Sequence, residues 1–314
     1  MGIVGQTVSL IRENIAKNIV GRGETVELCV LALLCGGHVL LEDVPGTGKT
    51  LLAKSIALSA GGEYGRIQFT PDLLPGDITG VSFFNMKTSE FEFVPGPVFT
   101  NILLADEINR ATPKTQAGLL ECMEERQATV DGRTYLMRDP FMVIATQNPV
   151  ENMGTYPLPE AQLDRFLIKA SMGYPTVSES VEIMKRHGAV GHDTALDAVV
   201  TPETIKRARQ ELARVFAHDD ILEYISNICE ATRQFENVLL GASPRAAIGL
   251  LSVSRGFAAS ADRDYVIPDD VKRAAVPVLA HRLILSGTER IKANAAEKIV
   301  SKILASVPVP TERI

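Results

Sequence analysis

A chain of 314 residues with 46% hydrophobic and 22% charged side chains has the composition of a globular protein of one large or two unequal domains. No segment approaches the roughly 18 to 20 uninterrupted apolar residues of a membrane helix, and residues 1–21 lack the apolar core of a secretory signal. These features argue against membrane insertion and predict a cytoplasmic protein. The formal net charge of −6 argues against a nucleic-acid partner, because proteins that track a phosphate backbone are usually basic.

The first part of the chain has the pattern of an α/β domain. Through residue 174, short apolar runs alternate with amphipathic segments, as in a parallel sheet covered by helices on both faces. We therefore predict a domain over residues 1–174 with a five-stranded parallel sheet. Strands are predicted at 38–42, 66–69, 101–106, 141–146 and 166–170, and helices at 24–34, 49–60 and 113–125.

Two predicted hairpins interrupt this pattern. Asp131-Gly132 lies between the alternating residues of 128–136, which is the strongest short-range hairpin signal. The segment 80–94 has two alternating arms around a polar tip. Its aromatic residues could grip another protein or could pack beneath the hairpin, and they are Phe83, Phe84, Phe91 and Phe93.

After Tyr174-Pro175 the strand-like runs stop, and amphipathic segments follow. They predict a helical second domain over residues 175–314, joined to the first through 188–197. Two of its helices are expected to begin at Thr201-Pro202 and Ser243-Pro244, where a capping side chain precedes a proline.

The segment EDVPGTGKT (42–50) has the Gly-Lys-Thr ending of a phosphate-binding loop. Such a loop binds phosphate because glycine lets N–H groups converge, the following helix presents its positive end, and a lysine neutralises charge. The formal pattern has glycine where this chain has Asp43, so on this motif alone an ordinary strand-to-helix turn stays possible. The residues expected to hold the phosphates are Pro45, Gly46, Thr47, Gly48, Lys49 and Thr50, with the hydroxyl of Thr50 also on magnesium.

A second motif, ILLADE (102–107), is an apolar run that ends in two acids. Asp106 can hold magnesium and Glu107 can polarise an attacking water. Such a run is common in isolation. Downstream of a phosphate-binding loop, it predicts a site that hydrolyses ATP with Mg²⁺.

Together these segments resemble the MoxR branch of the AAA+ ATPases over nearly the whole chain. The resemblance rests on residues 18–28, 42–50, 95–132, 143–167, 241–251 and 271–283. It implies a P-loop AAA+ αβα core followed by an all-helical lid domain. In that family the leading position of the loop is often acidic, so the resemblance supports the nucleotide site despite Asp43.

The resemblance also implies roles for side chains outside the two motifs. Asn148 resembles the sensor that positions water and contacts the terminal phosphate. Arg165 resembles the arginine finger offered to a neighbouring subunit. Arg245 resembles a second sensor that reaches from the lid to the phosphates held by the loop of the core. Its place in the first turn of a helix is unfavourable for a cation unless an anion compensates, which a phosphate would do.

On the same basis, Ile19 and Val20 are expected to border the adenine, and Leu51 belongs to the nucleotide-binding set. The two hairpins, at about 76–96 and 126–138, match places where related proteins carry insertions that project from a ring.

MoxR-like proteins are chaperone-like motors that mature, activate or insert metal into protein complexes, commonly with a partner carrying a von Willebrand factor A domain. The resemblance therefore implies a homo-oligomeric, hexameric ATPase with ATP and Mg²⁺ as cofactors and a protein complex as client. A DNA-dependent motor of the helicase or initiator kind is the alternative, and a small-molecule kinase is a third class that would need neither Arg165 nor Arg245. The sequence does not name the client.

Overall fold

The structure is a computed structural model that describes residues 2–148, 154–188, 196–287, 292 and 294–310. Its strands are β1 (Val39–Glu42), β2 (Tyr64–Gln68), β3 (Gly80–Asn85), β4 (Glu90–Pro95), β5 (Ile102–Asp106), β6 (Gln127–Val130), β7 (Arg133–Leu136), β8 (Met142–Gln147), β9 (Ile168–Ala170), β10 (Val238–Leu240) and β11 (Ile284–Leu285). Five of them form one parallel sheet in the order β2-β5-β8-β1-β9. The predicted five-stranded parallel sheet is confirmed.

The helices are α1 (Ile3–Ala16), α2 (Gly23–Leu34), α3 (Lys49–Ser59), α4 (Pro75–Thr79), α5 (Pro113–Glu125), α6 (Glu160–Leu163), α7 (Val177–Gly188), α8 (Pro202–Ala213), α9 (Asp219–Gln234), α10 (Pro244–Ser260), α11 (Pro268–Leu279) and α12 (Ala295–Ser306). Thr201 and Ser243 cap α8 and α10 through their side chains, as expected. Helix α1 was not predicted from the sequence. Among the described residues, no helix is both long and apolar enough to cross a bilayer.

Alternation along the sheet strands separates two apolar layers. Leu41, Leu104 and Ile144 belong to the layer that contains α1 to α3, whereas Leu40 and Leu103 belong to the layer that contains α5. All five side chains are fully buried, because both faces of the sheet are covered. The continuous apolar runs of the sequence follow from this double burial.

The helical second part packs directly on the α1–α2 layer. Helix α1 contacts α8 and α10, and α2 contacts the same two helices. Buried residues of both parts, such as Ile11 and Leu250, lie in one continuous core. The helical character of this part is confirmed, and it carries in addition a short antiparallel ribbon of β10 and β11. The expected connection at 188–197 lies mostly outside the described residues.

Both predicted hairpins form. Strands β3 and β4 pair in an antiparallel ribbon, as do β6 and β7. Asp131 and Gly132 have φ of 49° and 75°, the left-handed values that a tight two-residue hairpin turn requires.

The aromatic residues of the first hairpin divide between the two expected roles. Phe93 stacks on Tyr135 of the second hairpin, with ring centroids 4.0 Å apart, so the two hairpins touch. Phe84 and Phe91 form an edge-to-face pair nearer the tip and are exposed, as is Phe83. Phe93, near the base of the hairpin, thus packs on the second hairpin, whereas the other three aromatic side chains are exposed.

Candidate active site

The phosphate-binding loop follows β1 at the carboxyl end of the sheet. Gly46 and Gly48 have φ of 81° and 91°, which L side chains rarely adopt, so the loop depends on these two glycines. A Cβ built on Gly46 would meet nothing within 4 Å, so the space beside this glycine is open. Helix α3 begins at Lys49 and presents its free N–H groups at this opening. The loop therefore has the shape and polarity of an anion site.

Lys49 folds back over this loop. Its Nζ donates to the carbonyl oxygens of Asp43, at 3.0 Å, and Val44, at 3.3 Å. The next two residues, Thr50 and Leu51, are exposed on the first turn of α3, and Pro45 is also exposed. An entering triphosphate would offer Lys49 charged acceptors in place of two neutral carbonyls, which strengthens its hydrogen bonds.

Position 43 does not require the glycine of the formal pattern, because the backbone φ of Asp43 is not positive. Its side chain is buried and accepts hydrogen bonds from the segment that follows β9. The sequence showed the departure from the pattern but not this second function of the position.

The acidic pair lies at the end of β5. Asp106 accepts from the Oγ1 of Thr146 and from an Nη of Arg66, each at 2.7 Å, and the latter bond raises the pKa of Arg66. Glu107 has a left-handed backbone, with φ of 57°, and its carboxylate accepts from the Nε2 of Gln68 at 2.8 Å. Sequence reasoning missed Arg66, Gln68 and Thr146, which lie on the two strands that flank β5.

The strand order places these groups around one space. Strand β8 lies between β1 and β5, and Asn148, which is buried, comes directly after it. Since neighbouring strands are about 4.8 Å apart, the exit of β5 lies about 10 Å from the exit of β1. That gap fits a phosphate chain with its cation. Carboxylate and hydroxyl oxygens are the ligands that Mg²⁺ takes, so Asp106 and the exposed Thr50 suit it.

The segment expected at the adenine lies between α1 and α2. Ile19 is buried and Val20 is half-buried. Ile19 lines a cavity of about 400 Å³ together with Val8 of α1 and Val26 of α2. Arg12, Glu13 and Glu27 also line this cavity, so its lining is mixed, and the role of Ile19 and Val20 stays a prediction.

Arg165 and Arg245 lie together at the opposite end of the sheet. An Nη2 of Arg165 is 3.0 Å from one carboxylate oxygen of Glu124, and an Nη1 of Arg245 is 3.1 Å from the other. Glu124 belongs to the last turn of α5. The backbone carbonyl of the preceding Met123 accepts a hydrogen bond from the ring of His38, the residue directly before β1. The two arginines are therefore at the amino ends of the strands.

In this structure Arg245 does not lie at the phosphate-binding loop of its own chain, and its role as a sensor stays a prediction. The phosphate-binding loop follows β1, and His38, which contacts the arginine end, precedes it. The three residue steps of β1 alone span about 10 Å, and the loop lies beyond them. The side chain of Arg245 instead pairs with Glu124, and this arrangement reflects how the lid packs on α1 and α2.

An ion pair between the buried Arg282 and the partly buried Asp164 holds the backbone on both sides of Arg165. The Nε of Arg282 donates to Asp164 at 2.7 Å, and another guanidinium nitrogen donates to the carbonyl of Phe166 at 2.7 Å. Ser243, the cap of α10, donates to the same carboxylate at 3.2 Å. Burial lowers the pKa of Arg282, and the hydrogen bond to Asp164 opposes this shift. Asp164, the residue before Arg165, is thus bonded to Ser243 at the start of the helix that carries Arg245.

Sequence reasoning did not identify Glu124, Asp164 or Arg282 as parts of this arrangement. Glu124 bonds to Arg245, 121 residues away, and Asp164 bonds to Ser243 and Arg282, 79 and 118 residues away. No local pattern reports such a pairing.

Comparison with known proteins agrees with this geometry. Residues 38–168 match the ATPase family associated with various cellular activities (AAA), and residues 230–303 match the AAA lid domain. A solved structure of a candidate ATPase from Cytophaga hutchinsonii superposes with a TM-score of 0.91 at 37% identity, covering 98% of this chain and 96% of that one.

Two curated relatives extend over most of the chain. The uncharacterized protein YeaC of Bacillus subtilis is 50% identical, over 96% of this chain and 94% of its own. Chaperone MoxR1 of Mycobacterium tuberculosis is 42% identical, over 94% of this chain and 80% of its own. The open phosphate loop, the acidic strand end, the lid and these relationships agree: the chain belongs to the MoxR family of AAA+ ATPases and hydrolyses ATP.

Proposed function

We propose that the chain works as a homo-oligomeric, hexameric ring in which Arg165 and Arg245 of one subunit meet the ATP held by the next. The observation that carries this proposal is their shared pairing with Glu124 at the end of the sheet opposite their own loop. Two guanidinium groups that converge on one carboxylate can also converge on a phosphate. A closed ring gives every subunit the same interface, so each ATP receives one arginine pair.

Within each site, Lys49 and the loop from Pro45 to Thr50 hold the phosphates. Thr50 and Asp106 hold Mg²⁺, which supplies positive charge against the phosphate oxygens. Glu107 orients the attacking water, and Asn148 contacts the water and the terminal phosphate. Gln68, which donates to Glu107 in this structure, restrains that carboxylate before substrate is in place.

The energy of hydrolysis is used on other proteins. One relative is named Chaperone MoxR1, which supports a chaperone-like role. We propose that this role is to mature or activate protein complexes, with metal or cofactor insertion as one form of it. We propose that residues 1–174 form the ATP-binding unit and 175–314 the lid. The exposed Phe83, Phe84 and Phe91 at the first hairpin are suited to contact an apolar client segment. A protein with a von Willebrand factor A domain is the proposed partner.

The acidic net charge of −6 favours protein clients over the alternative of a DNA-dependent motor. Addition of duplex or single-stranded DNA should leave the rate of ATP hydrolysis unchanged. A several-fold stimulation by DNA would support the alternative instead.

The ring arrangement is tested by mixing two inactive variants. Lys49→Ala subunits keep both arginines but cannot hold ATP well, and Arg165→Ala subunits hold ATP but lack one arginine. In random one-to-one rings, about a quarter of the interfaces pair an intact loop with an intact arginine pair, so about a quarter of wild-type ATPase activity should return.

A matched control comes from the shared position of the arginines. Because Arg165 and Arg245 lie on the same end of one subunit, a mixture of Arg165→Ala with Arg245→Ala subunits should stay inactive. Recovery in this control, or none in the first mixture, would contradict the proposed arrangement.

A further inference from the structure

The carboxylate of Asp43 is a buried anchor at the start of the phosphate-binding loop. The residue is 5% exposed. One of its oxygens accepts from the Oγ of Ser171, at 2.9 Å, and from the N–H of Gly173, at 3.0 Å. The other accepts from the N–H of Met172. Three donors compensate the carboxylate for its loss of water.

The segment that Asp43 holds, residues 171–173, is also held from the other side. The Oγ1 of Thr25 donates to the carbonyl of Ser171 at 2.8 Å, and an Nη2 of Arg22 donates to the carbonyl of Gly173 at 3.2 Å. Thr25 lies in the first turn of α2, and Arg22 directly precedes this helix. The segment therefore lies between the phosphate-binding loop and the chain that follows Ile19 and Val20.

This arrangement connects the two parts of the nucleotide site that are far apart in sequence. The carboxylate belongs to the loop for the phosphates, and Arg22 and Thr25 belong to the base side. Both bind one short piece of chain that leaves the edge strand β9. A glycine at position 43 would keep the turn but would lose the three hydrogen bonds that the carboxylate of Asp43 accepts.

We propose that Asp43 is a positioning residue that fixes the phosphate-binding loop relative to the base side of the site through residues 171–173. Because the distance between the phosphate-binding loop and the base side is fixed, one ATP molecule can bind to both at once. Binding then has no free-energy cost for ordering the loop relative to the base side. The proposal rests on the proposed location of the adenine at Ile19 and Val20.

Lys49 makes the anchor more important once nucleotide binds. In this structure its ammonium group holds the carbonyls of Asp43 and Val44, which stabilises the start of the loop from within. A phosphate that attracts Lys49 removes this internal support. The side chain of Asp43 then remains as the link that keeps the start of the loop in place.

The test is Asp43→Gly, which restores the formal glycine of the loop pattern. Binding of Mg²⁺-ATP and of Mg²⁺ with inorganic triphosphate is measured by calorimetry on the wild-type and variant chains. We expect the variant to bind ATP about tenfold more weakly, which is about 1.4 kcal/mol, and to bind triphosphate within about twofold of wild type. Triphosphate occupies the loop alone, so it does not depend on the distance to the base side.

Equal weakening for both ligands would overturn the proposal, because it would mean that Asp43 only shapes the loop. Unchanged or tighter ATP binding would overturn it too, because it would make Asp43 a neutral replacement for glycine. Wild-type protein that binds ATP and triphosphate equally well would remove the base site at Ile19 and Val20 and this proposal with it. The subunit-mixing experiment would be unaffected by that result.

Ser171→Ala provides a milder variant that removes one donor and leaves the loop sequence intact. It should weaken ATP binding in the same direction by a smaller factor, and adding it to Asp43→Gly should cause no further loss, since the two residues act through one contact. Asp72→Gly, at an exposed aspartate, is the matched control and should leave binding of both ligands unchanged. Additive losses in the double variant would contradict the shared contact.

Discussion

The two ends of the central sheet differ in how they are built: one is a local backbone loop, and the other is formed by side chains from distant segments. At the carboxyl end, the phosphate-binding loop consists of backbone, two left-handed glycines and the start of a helix, all within residues 43–50. At the amino end, Arg165, Arg245 and Glu124 come from three segments far apart in the chain. The first end is a local structure that presents N–H groups to phosphate, whereas the pair of arginines at the second end forms only when the lid is packed on the core.

This difference indicates how each end should respond to substitution. Changes at the carboxyl end should alter binding or chemistry with little effect on folding. Changes at the amino end should alter stability and function together, because the same contacts that place the arginines also join the lid to the sheet.

The largest expected effect is on chemistry at the carboxyl end. Glu107→Gln should lower kcat for ATP hydrolysis by about a thousandfold, because an amide cannot polarise the attacking water, while the Kd for ATP changes little. Single-turnover hydrolysis and equilibrium binding measure the two quantities. The control is Glu121→Gln, at an exposed carboxylate of α5, which should hydrolyse ATP at the wild-type rate. Normal turnover by Glu107→Gln would remove this residue from the proposed mechanism.

The next effect tests the amino end. Arg282→Met should lower the free energy of unfolding by about 3 kcal/mol, because it leaves the carboxylate of Asp164 and the carbonyl of Phe166 without their buried donor. Urea unfolding measures this change. Lys272→Met, at an exposed ion pair, should cost under about 1 kcal/mol.

If contacts at the amino end set both stability and function, Arg282→Met should also lose the ability to supply its arginine pair to a neighbouring subunit. At a temperature where the variant is folded, its subunits should fail to restore activity to Arg165→Ala partners, since their arginine pair is no longer positioned. Full rescue by this variant would show that Arg165 and Arg245 do not need the ion pair between Arg282 and Asp164.

The smallest effect is a pH dependence of stability at the amino end. Burial, and secondarily the charges of Arg126, Arg209 and Arg245, lower the pKa of His38 to about 4. Its Nδ1 accepts the N–H of Val143 at 2.9 Å, which requires a neutral ring. The unfolded chain binds this proton near pH 6.5, so stability is present above pH 6.5 and falls as the pH drops towards 4, by about 2 kcal/mol at pH 5.

Urea unfolding between pH 7 and pH 5 measures this dependence. His38→Asn keeps an acceptor for Val143 but cannot be protonated, so its stability should fall less steeply with acid than that of wild type. His281 is also buried, and burial lowers its pKa well below the ordinary value, so part of the slope should remain. The exposed His218 provides the control, since His218→Asn should keep the wild-type slope. An unchanged slope in His38→Asn would contradict the assignment.

Much of the fold could be predicted because its signals are local. A strand buried on both faces reads as a continuous apolar run, and such runs placed the three inner strands β1, β5 and β8. Asp131-Gly132 specified a hairpin because both residues adopt positive φ readily. The ribbon of β10 and β11 escaped prediction because its strands have three and two residues, too few for an alternating pattern. Helix α1 was missed because the opening segment was considered only as a targeting signal.

The sequence by itself determined the phosphate-binding loop, the acidic end of β5 and the family, because each depends on residues close together in the chain. Only the tertiary structure decided that Arg245 lies with Arg165 rather than over its own loop, since the packing of the lid on α1 and α2 sets that position. It also decided that Asp43 is a buried anchor, because its donors at residues 171–173 become neighbours only when β9 lies beside β1.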